Sequence, residues 1–129
     1  MRITAISDIH GSLIPIESTD LLIIAGDWSP LEIQTKIWYM REWINDCFLP
    51  WCDQIDANRI LFVAGNHDFI CDQNFMQNPI PNLQNPLPNL QNPLFKKDIL
   101  WQYLRKHRLL NKITYLDCSS STYIELPTA

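Results

Sequence analysis

Three short apolar runs, each ended by turn-forming or polar residues, limit this chain to a narrow set of folds. They are Arg2 to Ser7, Asp20 to Ala25 and Arg59 to Ala64. The second and third are continuous, of strand length, and followed at once by Gly26 and Gly65. Such runs suit strands buried on both faces, as in a sheet covered by helices. Between them, Ile33, Ile37, Met40, Ile44, Cys47, Phe48 and Trp51 recur at spacings of three and four, which makes one apolar helical stripe. Ser29 can cap that helix and Pro30 suits its first turn. Pro50 lacks an amide donor, so the helix is expected to end or kink after about Phe48. A second helix is expected over Lys96 to Leu109, with Ile99, Leu100, Tyr103 and Leu104 inward. Short strands are expected at Ile113 to Leu116 and Thr122 to Leu126. The order β, β, α, β, α, β, β places the chain in the α/β class. A mixed sheet with the three apolar runs as neighbours follows.

With 129 residues the chain has room for one domain with a modest core. Hydrophobic residues at 47 % and charged residues at 19 % mark a globular chain. No apolar run is long enough to span a membrane as a helix, and no signal-peptide pattern opens the sequence, so the cytoplasm is the expected compartment. The net charge is −4, with most of the acidic excess in residues 1–93. That is a poor match for nucleic acid and a good one for cations. Cys47, Cys52, Cys71 and Cys118 form no Cys-x-x-Cys pair, which argues against structural zinc; they are expected reduced and buried. Only three glycines are present, too few for a glycine-rich phosphate loop.

One stretch stands apart. Asn78 to Gln84 and Asn85 to Gln91 repeat a seven-residue unit, and Asn92-Pro-Leu94 begins a third. Two prolines per unit forbid a coiled coil. This segment, about 78–94, is expected as an extended surface insertion.

The chemistry-bearing residues follow the first three strands: Asp8-Ile9-His10, Gly26-Asp27 and Gly65-Asn66-His67-Asp68. Taken singly, each block is an ordinary turn, because Gly, Asn and Asp favour turns for local reasons. Together they carry more. Ligands in open α/β sheets gather at the carboxyl ends of strands, so parallel neighbours would bring all three blocks to one edge. In an extended chain, Asp8 and His10 would point to one side. A mixed oxygen and nitrogen set suits Mn, Fe, Co, Ni or Zn.

In order and placement these blocks resemble the calcineurin-like metallophosphoesterases, whose signature runs Asp-x-His, Gly-Asp, Gly-Asn-His-(Asp or Glu), a separate His, then Gly-His-x-His. The resemblance implies a partial metallophosphoesterase-type β-sandwich with flanking helices. It implies a site for two divalent metal ions, with Asp8 and His10 on the first, Asp27 bridging and Asn66 on the second. His67 would stand near the leaving group, and Asp68 would orient and polarise it. The implied activity is hydrolysis of phosphomono- or phosphodiesters by a metal-bridged hydroxide, with a phosphoester as the partner and neither nucleic acid nor membrane. The later histidine blocks have no match here. His107, in Arg105-Lys106-His107-Arg108, reads as a solvated helix residue, since its cationic neighbours would repel a metal. The chain is thus expected to be the N-terminal half of such a domain, one truncated unit over residues 1–129. The alternative is a non-catalytic remnant or interaction module with weak metal binding. Half a sandwich would leave one sheet face under-covered, with Trp38, Trp43, Trp51 and Trp101 as candidates for an exposed patch that mediates self-association.

Overall fold

The computed structural model describes residues 1–72, 104–106 and 108–116. The repeat at 78–94, Trp101, His107, Cys118 and the strand expected at Thr122 to Leu126 lie outside them. Each apolar run forms a strand: β1 is Ile3–Ile6, β2 is Thr19–Ala25 and β3 is Ala57–Val63. The fourth, β4, is Ile113–Leu116, as expected. The four lie side by side in sequence order. Every pair is parallel, with Thr4, Leu22, Ile60 and Ile113 in one row and Ile6, Ile24, Phe62 and Tyr115 in another. The mixed sheet is therefore not found among the described strands. Parallel neighbours require a crossover at each step, and each connection here is at least a dozen residues long.

Sheet order explains where the core sits. A strand order that advances in one direction, with crossovers of the usual right hand, puts every connection on the same face. On that face Leu22, Ile24, Ile60, Phe62 and Ile113 are buried, together with Ile37, Met40, Ile44, Phe48, Leu49 and Cys52 from the helices. The alternate residues Leu21, Ile23, Leu61, Val63 and Leu116 are only half-buried, and Ile3 is 57 % exposed. Among the described residues, one face of the sheet is thus covered more fully than the other.

The helical layer departs from expectation in two ways. Helix α1 spans Ile37–Trp43, so it starts seven residues later than Pro30. Ser29 does not cap it: Lys36 holds the N-cap position, and the Ser29 hydroxyl and N–H donate instead to Asp68, at 2.6 and 2.9 Å. The helix also continues past Pro50. A π-helical turn at Ile44–Phe48 leads directly into α2, Leu49–Gln54, with Pro50 in the first turn of α2. Widening the helix before the proline gives its ring room beside the carbonyl four residues back. The π turn adds one residue to the stripe and shifts its phase. Leu49 and Cys52 turn inward, while Cys47 is exposed rather than buried. Of the second helix, residues 104–106 are described and helical, and Leu104 is buried.

Among the described residues, Trp38, Trp43 and Trp51 do not gather on the under-covered face. Trp43 stacks on Trp28 at 6.2 Å and on Phe48 at 5.5 Å. Trp51 donates its indole N–H to the Ile14 carbonyl at 3.0 Å, and Trp38 lies under the Arg41 guanidinium at 5.6 Å. The helical stripe takes Trp43 and Trp51 to the core side, where both pack against the buried cluster.

Candidate metal centre

The site is built where the sheet's hydrogen bonding runs past its strand ends. Asp8 N–H donates to Gly26 O at 3.1 Å, His10 N–H to Asp27 O at 3.1 Å and Gly11 N–H to Trp28 O at 2.9 Å. The loop after β1 is thus zipped to the loop after β2. Trp28 ties the second loop to the core. It is 1 % exposed, packs on Phe48 and Phe62 at 4.9 and 5.8 Å, and donates its indole N–H to Val63 O at 3.1 Å.

Asp8, His10 and Asp27 all adopt left-handed backbone, with φ of 57°, 44° and 54°. This corrects the expected route to convergence. Asp8 and His10 do not meet by the alternation of an extended strand; left-handed turns aim them. For residues with a Cβ, that conformation costs about 1–2 kcal/mol each. Three such residues side by side mark a place where the fold holds side chains against local preference. The loop also needs glycine. Gly26 has φ of 96°, and a Cβ there would lie 2.9 Å from Gly65 Cα. A Cβ on Gly65 would strike the Asp27 carboxylate.

One ligand atom each from Asp8, His10 and Asp27 lies within 4.8 Å of the others. The Ser7 hydroxyl beside Asp8 holds its carboxyl below the usual carboxylate value, against some desolvation and with help from Asp27, His10 and His67. It therefore stays ionised and able to bind a cation. The donor set fits a divalent ion: two carboxylates and an imidazole. So does a second feature. The His10 Nδ1 is buried and has no hydrogen-bond partner among the described residues.

The third block closes over this group. His67 donates its backbone N–H to Asp27 Oδ1 at 2.8 Å, and its ring meets that of His10 edge-on at 5.5 Å. Asn66 stands exposed between Gly65 and His67. Asp68 is 2 % exposed. Its carboxylate accepts the N–H groups of Asp27, Gly65 and Ser29 at 2.7, 2.7 and 2.9 Å, along with the Ser29 hydroxyl. Among the described residues, the side chain at hydrogen-bond distance from the His67 ring is instead Gln34, with Oε1 3.2 Å from Nδ1. The expected contact of Asp68 with that imidazole is replaced by a clamp between the loops after β2 and β3. Side chains of adjacent residues commonly diverge, and here Asp68 turns inward while His67 faces the cluster.

A family model described as calcineurin-like phosphoesterase matches residues 1–124. The chain belongs to that family. It is 33 % identical over 81 residues to a human protein named metallophosphoesterase domain-containing protein 1, and equally to the mouse protein of that name. Each alignment covers 61 % of this chain and 22 % of the relative, so the chain spans about a fifth of the length of these curated relatives. No solved structure matches. In this member of the calcineurin-like phosphoesterases, the Asp-x-His, Gly-Asp and Gly-Asn-His-Asp blocks all stand at the carboxyl ends of parallel strands. Two contributors carry no functional signal in the sequence. Ser29 reads as a helix cap, and Gln34 carries no local signal, since it meets His67 from 33 residues away. Among the described residues no helix is long and apolar enough to cross a membrane.

Proposed function

We propose that this site hydrolyses phosphomono- or phosphodiesters with the help of divalent metal. The reading rests on one observation above the others: ligand atoms of Asp8, His10 and Asp27 lie within 4.8 Å of one another at the carboxyl edge of the sheet. Asp8, His10 and Asp27 would hold an ion drawn from Mn, Fe, Co, Ni or Zn, and Asp27 with Asn66 would serve a second. When bound, such ions screen phosphate charge and make a water nucleophilic near neutral pH. The chain's own groups do the rest. The Asp27 carboxylate, fixed by the His67 N–H, keeps its orientation without reorganising. His67, in its protonated form, gives a proton to the leaving oxygen as its bond to phosphorus breaks and the water oxygen bonds to phosphorus. General acids of this kind contribute about 10²–10⁴-fold. A phosphoester is the partner on this reading. A reducing compartment such as the cytoplasm goes with it, since Cys47, Cys52 and Cys71 are free thiols.

The test is turnover of p-nitrophenyl phosphate and bis-p-nitrophenyl phosphate by the purified chain, with and without added manganese. Metal-dependent hydrolysis that disappears in Asp27→Ala supports the reading. A chain that binds metal at Asp8, His10 and Asp27 but hydrolyses neither ester is a metal-binding remnant.

A further inference from the structure

Building on the phosphoesterase reading above, we propose that Gln34 is the positioning residue for His67. Its side-chain oxygen accepts the Nδ1–H of the imidazole and so leaves Nε2 as the nitrogen available to a leaving-group oxygen. The contact is 3.2 Å between Nδ1 and Oε1. With the Gln34 amide oxygen turned toward the ring, as it stands here, that oxygen can only accept, which assigns the hydrogen to Nδ1. The neutral ring then has its lone pair at Nε2, and the imidazolium has its second proton there.

The other neighbours of His67 do not choose between its nitrogens. Asp27 holds the backbone N–H at 2.8 Å. His10 and Phe69 flank the ring edge-on, at 5.5 and 6.4 Å. These contacts fix where the ring sits. Gln34 is the described side chain that reads which nitrogen bears hydrogen. An amide does this without adding negative charge next to Asp8 and Asp27, which a carboxylate would.

Gln34 is itself held in place. It lies in the turn between Ser29 and α1, where Ile33 N–H donates to Pro30 O at 3.3 Å and Lys36 N–H to Ile33 O at 2.8 Å. Ile33 packs against the core cluster. The turn starts from Ser29, whose N–H and hydroxyl are both bound by Asp68, and the same carboxylate holds Asp27 N–H. The group that orients the ring and the group that binds metal therefore share an anchor, so a shift of one moves the other.

The test has two arms. Long-range proton–nitrogen NMR of histidine-labelled protein reads the tautomer at His67, assigned with His67→Asn. The parent and Gln34→Glu are expected to show the Nδ1–H form, and Gln34→Ala to lose it, with metal content equal in all three. In the second arm, a series of aryl phosphates is turned over. Gln34→Ala is expected to lower kcat by roughly 10–100-fold, the usual effect of losing a group that orients a functional side chain. KM should stay nearly fixed, the loss should grow with leaving-group basicity, and Gln34→Glu should recover much of it. An unchanged tautomer in Gln34→Ala overturns the inference whatever the turnover. A shifted tautomer supports it even in a chain without turnover, and the kinetic arm then counts against the phosphoesterase reading alone.

Discussion

The carboxylate of Asp68 accepts the backbone N–H of Asp27 at 2.7 Å across 41 residues of sequence. It also takes two donors from Ser29 and one from Gly65, all with the carboxylate buried. The residue that the family pattern places beside the imidazole is thus the clamp that holds the metal-binding loop against the loop after β3. Replacing Asp68 with Ala strands four donors, the two of Ser29 buried and those of Asp27 and Gly65 part-buried. Each unsatisfied buried group costs about 1–3 kcal/mol, so a loss on the order of 3 kcal/mol or more is expected. Urea unfolding measures it. Asp68→Asn should lose nearly as much, because its NH2 group faces donors. A midpoint unchanged in Asp68→Ala would remove the clamp from the account.

Gly65 makes a narrower prediction. A methyl group there collides with the Asp27 carboxylate and sits 2.6 Å from Asp27 N. Gly65→Ala should therefore weaken metal binding by displacing a ligand, while most of the sheet and helical core stay intact. Calorimetry with manganese, beside circular dichroism, separates the two effects. Equal affinity in parent and variant would show that Asp27 does not need its present position.

The cysteines differ by burial, not by sequence. Burial pushes the Cys71 thiol from 9.0 up to about 12 and the Cys52 thiol higher still, whereas Cys47 is exposed. Thiolate is the reactive form, so iodoacetamide at mildly alkaline pH should label Cys47 and spare Cys52 and Cys71 until the chain unfolds. The sign for stability follows from the same shift. The unfolded chain releases the Cys71 proton from pH 9 while the folded chain keeps it to about 12, so stability falls as pH rises through that window. Cys71→Ala should flatten that decline. Mass mapping that finds Cys52 labelled as fast as Cys47 in folded protein would contradict the packing of α2.

The fold was legible where hydrophobic pattern and strand length agree. β1, β2 and β3 fall on the three apolar runs to within two residues at each end, and β4 falls on Ile113 to Leu116. The gathering of Asp8, His10 and Asp27 was legible too, because parallel strands share a carboxyl edge. The rest depends on forces that local sequence does not carry. The left-handed backbone at Asp8, His10 and Asp27 is imposed by the hydrogen bonds between their loops. The π turn before Pro50 trades regular helix geometry for continuity of the buried stripe, which put Cys47 outside. Ser29 reads as a helix cap, but α1 starts only at Ile37, and both Ser29 donors go to Asp68 from 39 residues away.

Metal binding is the claim on which the rest stands. The direct measurement is manganese and zinc content, with titration calorimetry, for the parent, Asp27→Ala and His67→Ala, each verified as folded by circular dichroism. The account predicts that the parent binds metal, that Asp27→Ala loses it, and that His67→Ala keeps it while turning over ester about 10²–10⁴-fold more slowly. A parent that binds no divalent ion, or an Asp27→Ala chain that binds as tightly as the parent, would contradict it. So would metal lost as completely from His67→Ala, which would make His67 a ligand.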